Sequence, residues 1–168
     1  MYKIVGAVMV ITACALWGSL KGGELRAHDA LLRALISALE TVRAEITGRL
    51  TPMPEIAEKL ARTGPGETRR FFALLERRLG ELGEREFSEL WSECVDSLYL
   101  PGDEARTLGE LGRSLGRYGP AEQNAALVLC MDALSAAERE ARSAAVSGSR
   151  MWTGVSLAAG LLLAVMLV

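Results

Sequence analysis

The sequence is poor in the side chains on which most enzyme mechanisms depend. It contains one histidine, His28, and three cysteines, Cys14, Cys94 and Cys130, which form no Cys-x-x-Cys pair. A nucleophile needs an adjacent base, and zinc needs several His or Cys ligands at close spacing. A phosphate-binding Gly-x-x-x-x-Gly-Lys-Ser/Thr motif is also missing. We therefore expect no catalytic, cofactor-binding or metal-binding residues and no enzyme activity. A membrane enzyme is the less favoured alternative.

Alternating β-branched runs, which are typical of strands, are absent as well. Apolar residues instead recur three or four positions apart with charged residues between them, which predicts helices. Short Gly and Pro segments divide the middle of the chain into six such stretches. We therefore predict an all-α, six-helix bundle. Its core should include Leu35, Leu39, Trp91 and Leu111.

Two turns should set the starts of helices. Thr51 is expected to cap the second helix by accepting a backbone N–H, with Pro52 at its first position and Pro54 in the same turn. Gly119 and Pro120 are expected to start the sixth helix.

Charge is missing from both ends of the chain, from Ile4 to Leu20 and from Met151 to Val168. A membrane-spanning helix needs about 20 mostly apolar residues, and about 17 is the working minimum. We therefore predict one transmembrane helix at each end. The expected domains are residues 1–20 and 151–168 as spans and residues 21–150 as the helical bundle.

Basic residues close to membrane spans indicate which side is cytoplasmic. The middle region carries Lys21, Arg26 and Arg33 after the first apolar segment, and Arg139, Arg142 and Arg150 before the second. This distribution predicts a two-pass protein of the cell membrane whose middle domain is cytoplasmic. The competing interpretation is a lipoprotein signal, because Ile11-Thr12-Ala13-Cys14 resembles its cleavage site and would make Cys14 the lipidated residue.

The middle region is slightly acidic. Only Lys3 of the charged residues lies outside residues 21–150, so this region carries 18 basic and 21 acidic side chains. Because no basic stripe with interleaved aromatic residues occurs, we expect no nucleic-acid partner.

The order of these parts resembles the stage III sporulation protein AB family of endospore-forming bacteria. The resemblance rests on two stretches and on the motifs within them. In Leu31–Leu60, a leucine-paired helix leads into Thr51-Pro52-Met53-Pro54. In Leu108–Glu140, Leu111-Gly112 and Leu115-Gly116 precede a polar turn and Gln123. The turn itself, Tyr118-Gly119-Pro120, departs from the acidic turn that is usual in the family.

The resemblance implies a reduced form of the type II secretion F-protein domain. It also implies a non-enzymatic membrane platform component of the apparatus between mother cell and forespore, in the mother-cell membrane around the forespore. The implied partners are a secretion-type ATPase and other membrane proteins of the same apparatus. The alternative is a membrane-anchored regulatory or assembly adaptor unrelated to sporulation.

Overall fold

The computed structural model describes residues 23, 26–117 and 119–167 of the chain, with side-chain surroundings as far as residue 143. Within this part, the regular structure consists of six helices and no β-strand. The prediction of an all-α fold with six helices is confirmed for these residues. Ala30–Glu138 forms one compact unit, and the described residues on either side of it belong to a second unit. The expected domain bounds, at residues 20 and 150, stay a prediction.

The helices follow one another with short connections. Helix α1 covers residues 26–44 and continues into a π-helical turn, Glu45–Arg49. The other helices are α2 (Met53–Thr63), α3 (Thr68–Arg78, followed by a 3-10 turn, Leu79–Glu81), α4 (Phe87–Asp96), α5 (Gly102–Arg117) and α6 (Pro120–Leu167).

The predicted transmembrane helix at each end requires correction. Among the described residues, no helix is both long enough and apolar enough to cross a membrane. A span needs about 20 mostly apolar residues, but α1 and the described side chains of α6 include charged residues such as Arg33, Glu40, Asp132 and Glu140. The segment Ile4–Leu20, together with Cys14, lies outside the described residues, and the apolar run from Met151 continues α6 instead of forming a separate helix.

The core is built from the apolar faces of the helices. Leu35 and Leu39 on α1, Trp91 on α4 and Leu111 on α5 are all buried. Complete burial of one large apolar side chain contributes about 1.5–3 kcal/mol. The apolar residues three or four positions apart thus give each helix a buried face, as Leu35 and Leu39 do on α1.

Trp91 lies at the centre of this core and is completely buried. Its ring makes an edge contact with Phe71, with the ring centroids 5.1 Å apart, and a tilted contact with Phe87 at 5.8 Å. Its indole N–H donates to the Leu108 carbonyl on α5 at 2.7 Å. A buried indole needs such an acceptor, because an unpaired buried N–H is costly.

Gly112 allows α5 to lie directly against this ring. A Cβ at Gly112 would lie only 2.3 Å from Trp91 Cδ1 and 2.5 Å from Cγ. One turn further on, a Cβ at Gly116 would lie 3.2 Å from Phe87 Cβ. The glycines of Leu111-Gly112 and Leu115-Gly116 thus allow two helices to approach more closely than any larger residue would permit.

The connection between α3 and α4 is held by ion pairs. Arg85 pairs with Glu81 at 3.2 Å, with Glu89 at 3.6 Å and with Glu93. Arg78 pairs with Glu81 at 3.2 Å and with Glu93 at 3.5 Å. Exposed pairs contribute little individually, but together these link the connection to the first two turns of α4.

We expect Gly112→Ala to destabilise the fold and Gly109→Ala to stabilise it. Overpacking against Trp91 should cost about 1–3 kcal/mol. This destabilisation is larger than the stabilisation of about 0.5–1 kcal/mol that alanine gives over glycine inside a helix. At Gly109, on the same helix, a Cβ would meet nothing within 4 Å. The Gly109→Ala variant should therefore show only the stabilisation from the better helix-forming residue. Thermal melts followed by circular dichroism measure the stability of both variants. Equal melting temperatures would contradict the close contact between Gly112 and Trp91.

Candidate functional site

The connection from α1 to α2 contains the most unusual local structure in the described residues. Helix α1 ends in a π-helical turn, and the next residue, Leu50, has left-handed backbone angles of φ 52° and ψ 35°. The backbone N–H groups of Leu50 and Thr51 both donate to the Glu45 carbonyl, the second at 3.2 Å. A π-helical turn inside or at the end of an α-helix frequently marks a functional site.

The Glu45 side chain organises this connection from inside the protein. Its carboxylate is about nine-tenths buried and lies 2.5 Å from the Lys59 ammonium on α2. Its other oxygen accepts a hydrogen bond from the Thr51 hydroxyl at 2.9 Å. Arg49 approaches to 3.7 Å. A buried charge is stable only when it is paired and hydrogen-bonded, and Glu45 satisfies both conditions.

These partners lower the pKa of Glu45 from its ordinary value of 4.5. The hydrogen bond from Lys59 has the largest effect and the bond from Thr51 the next, whereas burial acts in the opposite direction. The carboxylate therefore stays charged at neutral pH, and it ties the end of α1 to α2.

Thr51 does not cap α2 in the way predicted from the sequence. The residue before the first helical residue is Pro52, with φ −64° and ψ 146°, and no side chain caps the helix. The Thr51 hydroxyl is one position too early to cap the helix, and it donates its hydrogen bond to the Glu45 carboxylate instead. Pro52 accepts the first backbone bonds, from Glu55 at 3.1 Å and Ile56 at 3.2 Å, and Pro54 is the second helical residue. Proline lacks a backbone N–H, but neither Pro52 nor Pro54 costs the helix a hydrogen bond here. The first N–H groups of a helix have no acceptor within the helix.

We call Glu45–Pro54 together with Lys59 the α1–α2 corner. At its outer edge the Leu50 side chain is 69% exposed. The side chains of Arg49 and Lys59 are 76% and 48% exposed. The α1–α2 corner thus combines a fixed backbone with an exposed apolar side chain and two cations.

The start of α6 is fixed by contacts to its neighbours. The helix begins at Pro120, and the Gly119 carbonyl accepts from the Gln123 N–H at 3.0 Å. The Gln123 side chain donates to the Leu115 carbonyl at the end of α5, also at 3.0 Å. Asn124 accepts from Arg43 Nε on α1 at 2.7 Å. Helix α6 is thereby tied to both α5 and α1.

The thiols of Cys94 and Cys130 lie in the core. Burial raises the pKa of Cys94 to about 11 and that of Cys130 to about 12. Both therefore stay protonated and unreactive at neutral pH, because the thiolate is the reactive form. In the part of the chain that the structure describes, no group of three His, Cys, Asp or Glu side chains is placed to hold a metal ion.

The sequence profile of the stage III sporulation protein AB family matches residues 3–168, which is nearly the whole chain. The chain belongs to the stage III sporulation protein AB family. A solved structure of a stage III sporulation protein AB has the same fold, with a TM-score of 0.61 at 23% identity. The similarity covers 67% of this chain and 91% of that one. No curated protein sequence gives a significant match. The resemblance inferred from the helix and turn patterns is therefore confirmed, and it indicates a role in sporulation.

For this family member, sequence reasoning missed Glu45 and Lys59. In the sequence, Glu45 is simply one of the charged residues that lie between the apolar positions of the first helix. The sequence does carry one signal, because Glu45 follows the buried Val42 by three positions and therefore lies on the same helix face. Its partner Lys59 lies 14 residues further on, across the turn, and no local pattern shows that pairing.

We expect Glu45→Gln to lower the stability of the fold at neutral pH. The pKa of Glu45 is lower in the folded chain than in the unfolded chain. Its contribution is therefore present above pH 4.5 and lost as the pH falls through the lowered folded-state pKa. The difference in melting temperature between the wild type and Glu45→Gln should accordingly shrink below pH 4.5.

The matched control for this titration is Glu110→Gln, which alters an exposed carboxylate on α5. This variant should melt like the wild type at neutral pH. A difference for Glu45→Gln that stays constant from pH 7 to pH 3 would contradict the assignment.

Proposed function

We propose that the chain is a non-catalytic platform component of the apparatus that joins mother cell and forespore. In this proposal its helical unit holds the secretion-type ATPase of that apparatus in place. The observation that carries the proposal is the family match over residues 3–168. The match supports the sporulation role, and the ATPase is the proposed partner within that role.

The described unit has the physical properties that a holding role requires. Its core is closed by completely buried aromatic side chains, and polar contacts fasten its connections at Glu45, Arg85 and Gln123. A binding surface on such a scaffold loses little conformational entropy when a partner docks, which favours affinity. This supports a protein that acts by presenting a fixed surface.

An adaptor unrelated to sporulation has less support. The family profile leaves only two residues of the chain unmatched. No described feature outside the family pattern points to a different pathway.

Co-purification from sporulating cells tests the proposed partner. The full chain, tagged and expressed at its own level, should retain the ATPase, and an untagged strain should not. Gly112→Ala, if it lowers the melting temperature as expected above, should reduce recovery in parallel with the amount of folded protein. Normal levels of folded, tagged chain without the ATPase would refute the proposed partner.

The non-catalytic part of the proposal predicts that His28→Asn leaves sporulation efficiency unchanged. His28 is the sole imidazole in the sequence, and asparagine preserves a hydrogen-bonding side chain of similar size. The measurement is the count of heat-resistant spores at matched protein levels. A large loss of spores at normal protein level would indicate that the imidazole does chemistry.

A further inference from the structure

Leu50 combines two unfavourable features in one residue. Its backbone is left-handed, with φ 52°, and its apolar side chain is 69% exposed. Glycine usually occupies this position at the end of a helix, because a Cβ collides with the backbone in left-handed geometry. A leucine here therefore costs stability without gaining burial.

The α1–α2 corner itself does not require leucine. The hydrogen bond from position 50 to the Glu45 carbonyl uses the backbone N–H, which any residue except proline supplies. The left-handed geometry is imposed by Glu45, whose carbonyl and carboxylate hold Thr51 and Lys59. Strain that is imposed by the surroundings and not relieved within the chain is typical of interaction sites.

The charges around Leu50 indicate what kind of surface would cover it. Two cations, Arg49 and Lys59, share the single carboxylate of Glu45. Arg49 is the more exposed, and its contact of 3.7 Å leaves its guanidinium able to form a shorter bond elsewhere. The complement of this arrangement is an apolar pocket with a carboxylate at its rim.

We propose that Leu50 is the anchor by which the chain docks its partner protein, inserting into an apolar pocket whose acidic rim pairs with Arg49. This rests on the proposed function, because it specifies where the ATPase of the apparatus is held. Glu45 acts as a positioning residue that presents Leu50 and does not touch the partner.

Tyr99 provides a matched comparison. It also has φ 52° and is 94% exposed, at the turn between α4 and α5. At that turn the Ser97 hydroxyl donates to the Cys94 carbonyl at 2.6 Å, and no charged group is shown to hold the turn as Glu45 holds the α1–α2 corner in the described residues. Tyr99 also carries a hydroxyl that water can solvate. Its exposure is therefore less costly than that of Leu50, and it serves as the control for changes to left-handed residues.

The test measures the dissociation constant between the purified full chain and the purified ATPase, alongside the melting temperature of each variant. Leu50→Gly should melt at a higher temperature than the wild type, because it relieves the strained backbone. It should nevertheless bind at least about tenfold more weakly, as expected for loss of a central anchor. A role in folding alone cannot produce this combination.

Two further variants separate the contributions. Tyr99→Gly should also melt higher but should bind like the wild type. Arg49→Gln should weaken binding by about two- to fivefold and reduce its dependence on salt. Binding by Leu50→Gly within twofold of the wild type would overturn the anchor while leaving the proposed function standing. A folded wild-type chain that does not bind the ATPase would overturn the proposed function and this inference with it.

Discussion

The close contact between Trp91 and Gly112 is the constraint on which the described unit most depends. The indole ring is completely buried, contacts aromatic side chains from α3 and α4, and donates its N–H to the Leu108 carbonyl on α5. This bond forms because α5 has no side chain at position 112. A single absent methyl group thus allows a large apolar ring to be buried without leaving its polar atom unpaired. The ring therefore sets how closely α3 and α5 pack against α4.

The α1–α2 corner solves a different problem, which is to bury a charge. Glu45 retains its carboxylate inside the protein because Lys59 and Thr51 both donate to it. The bonds that satisfy this carboxylate come from two different elements, so they also fix the geometry of the connection. Here they specify the turn that places Leu50 at the surface. The apolar core therefore sets the distances between helices, whereas Glu45 sets the path of the connection between α1 and α2.

The chain belongs to the stage III sporulation protein AB family. Under the proposed function, a component that holds other proteins in position needs a stable shape more than reactive groups. The buried thiols and the fixed connections fit such a role. The proposed anchor extends the same reasoning to one residue, because strain in a rigid scaffold can be maintained where a flexible loop would relax.

The sequence by itself indicated the helices, four residues of the core and the family, because apolar spacing and Gly or Pro breaks are local signals. Leu35, Leu39, Trp91 and Leu111 could be selected from spacing alone, and the start of α6 at Pro120 from its turn residues. The apolar run from Met151 was predicted as a separate helix but continues α6, since composition alone does not show where a helix begins or how far it continues. Only the tertiary structure decided that the Thr51 hydroxyl donates to the Glu45 carboxylate and does not cap α2. It also decided that Gly112 faces Trp91 and that Leu50 is strained. Each of these depends on contacts across a turn or between helices, which become neighbours only once the chain has folded.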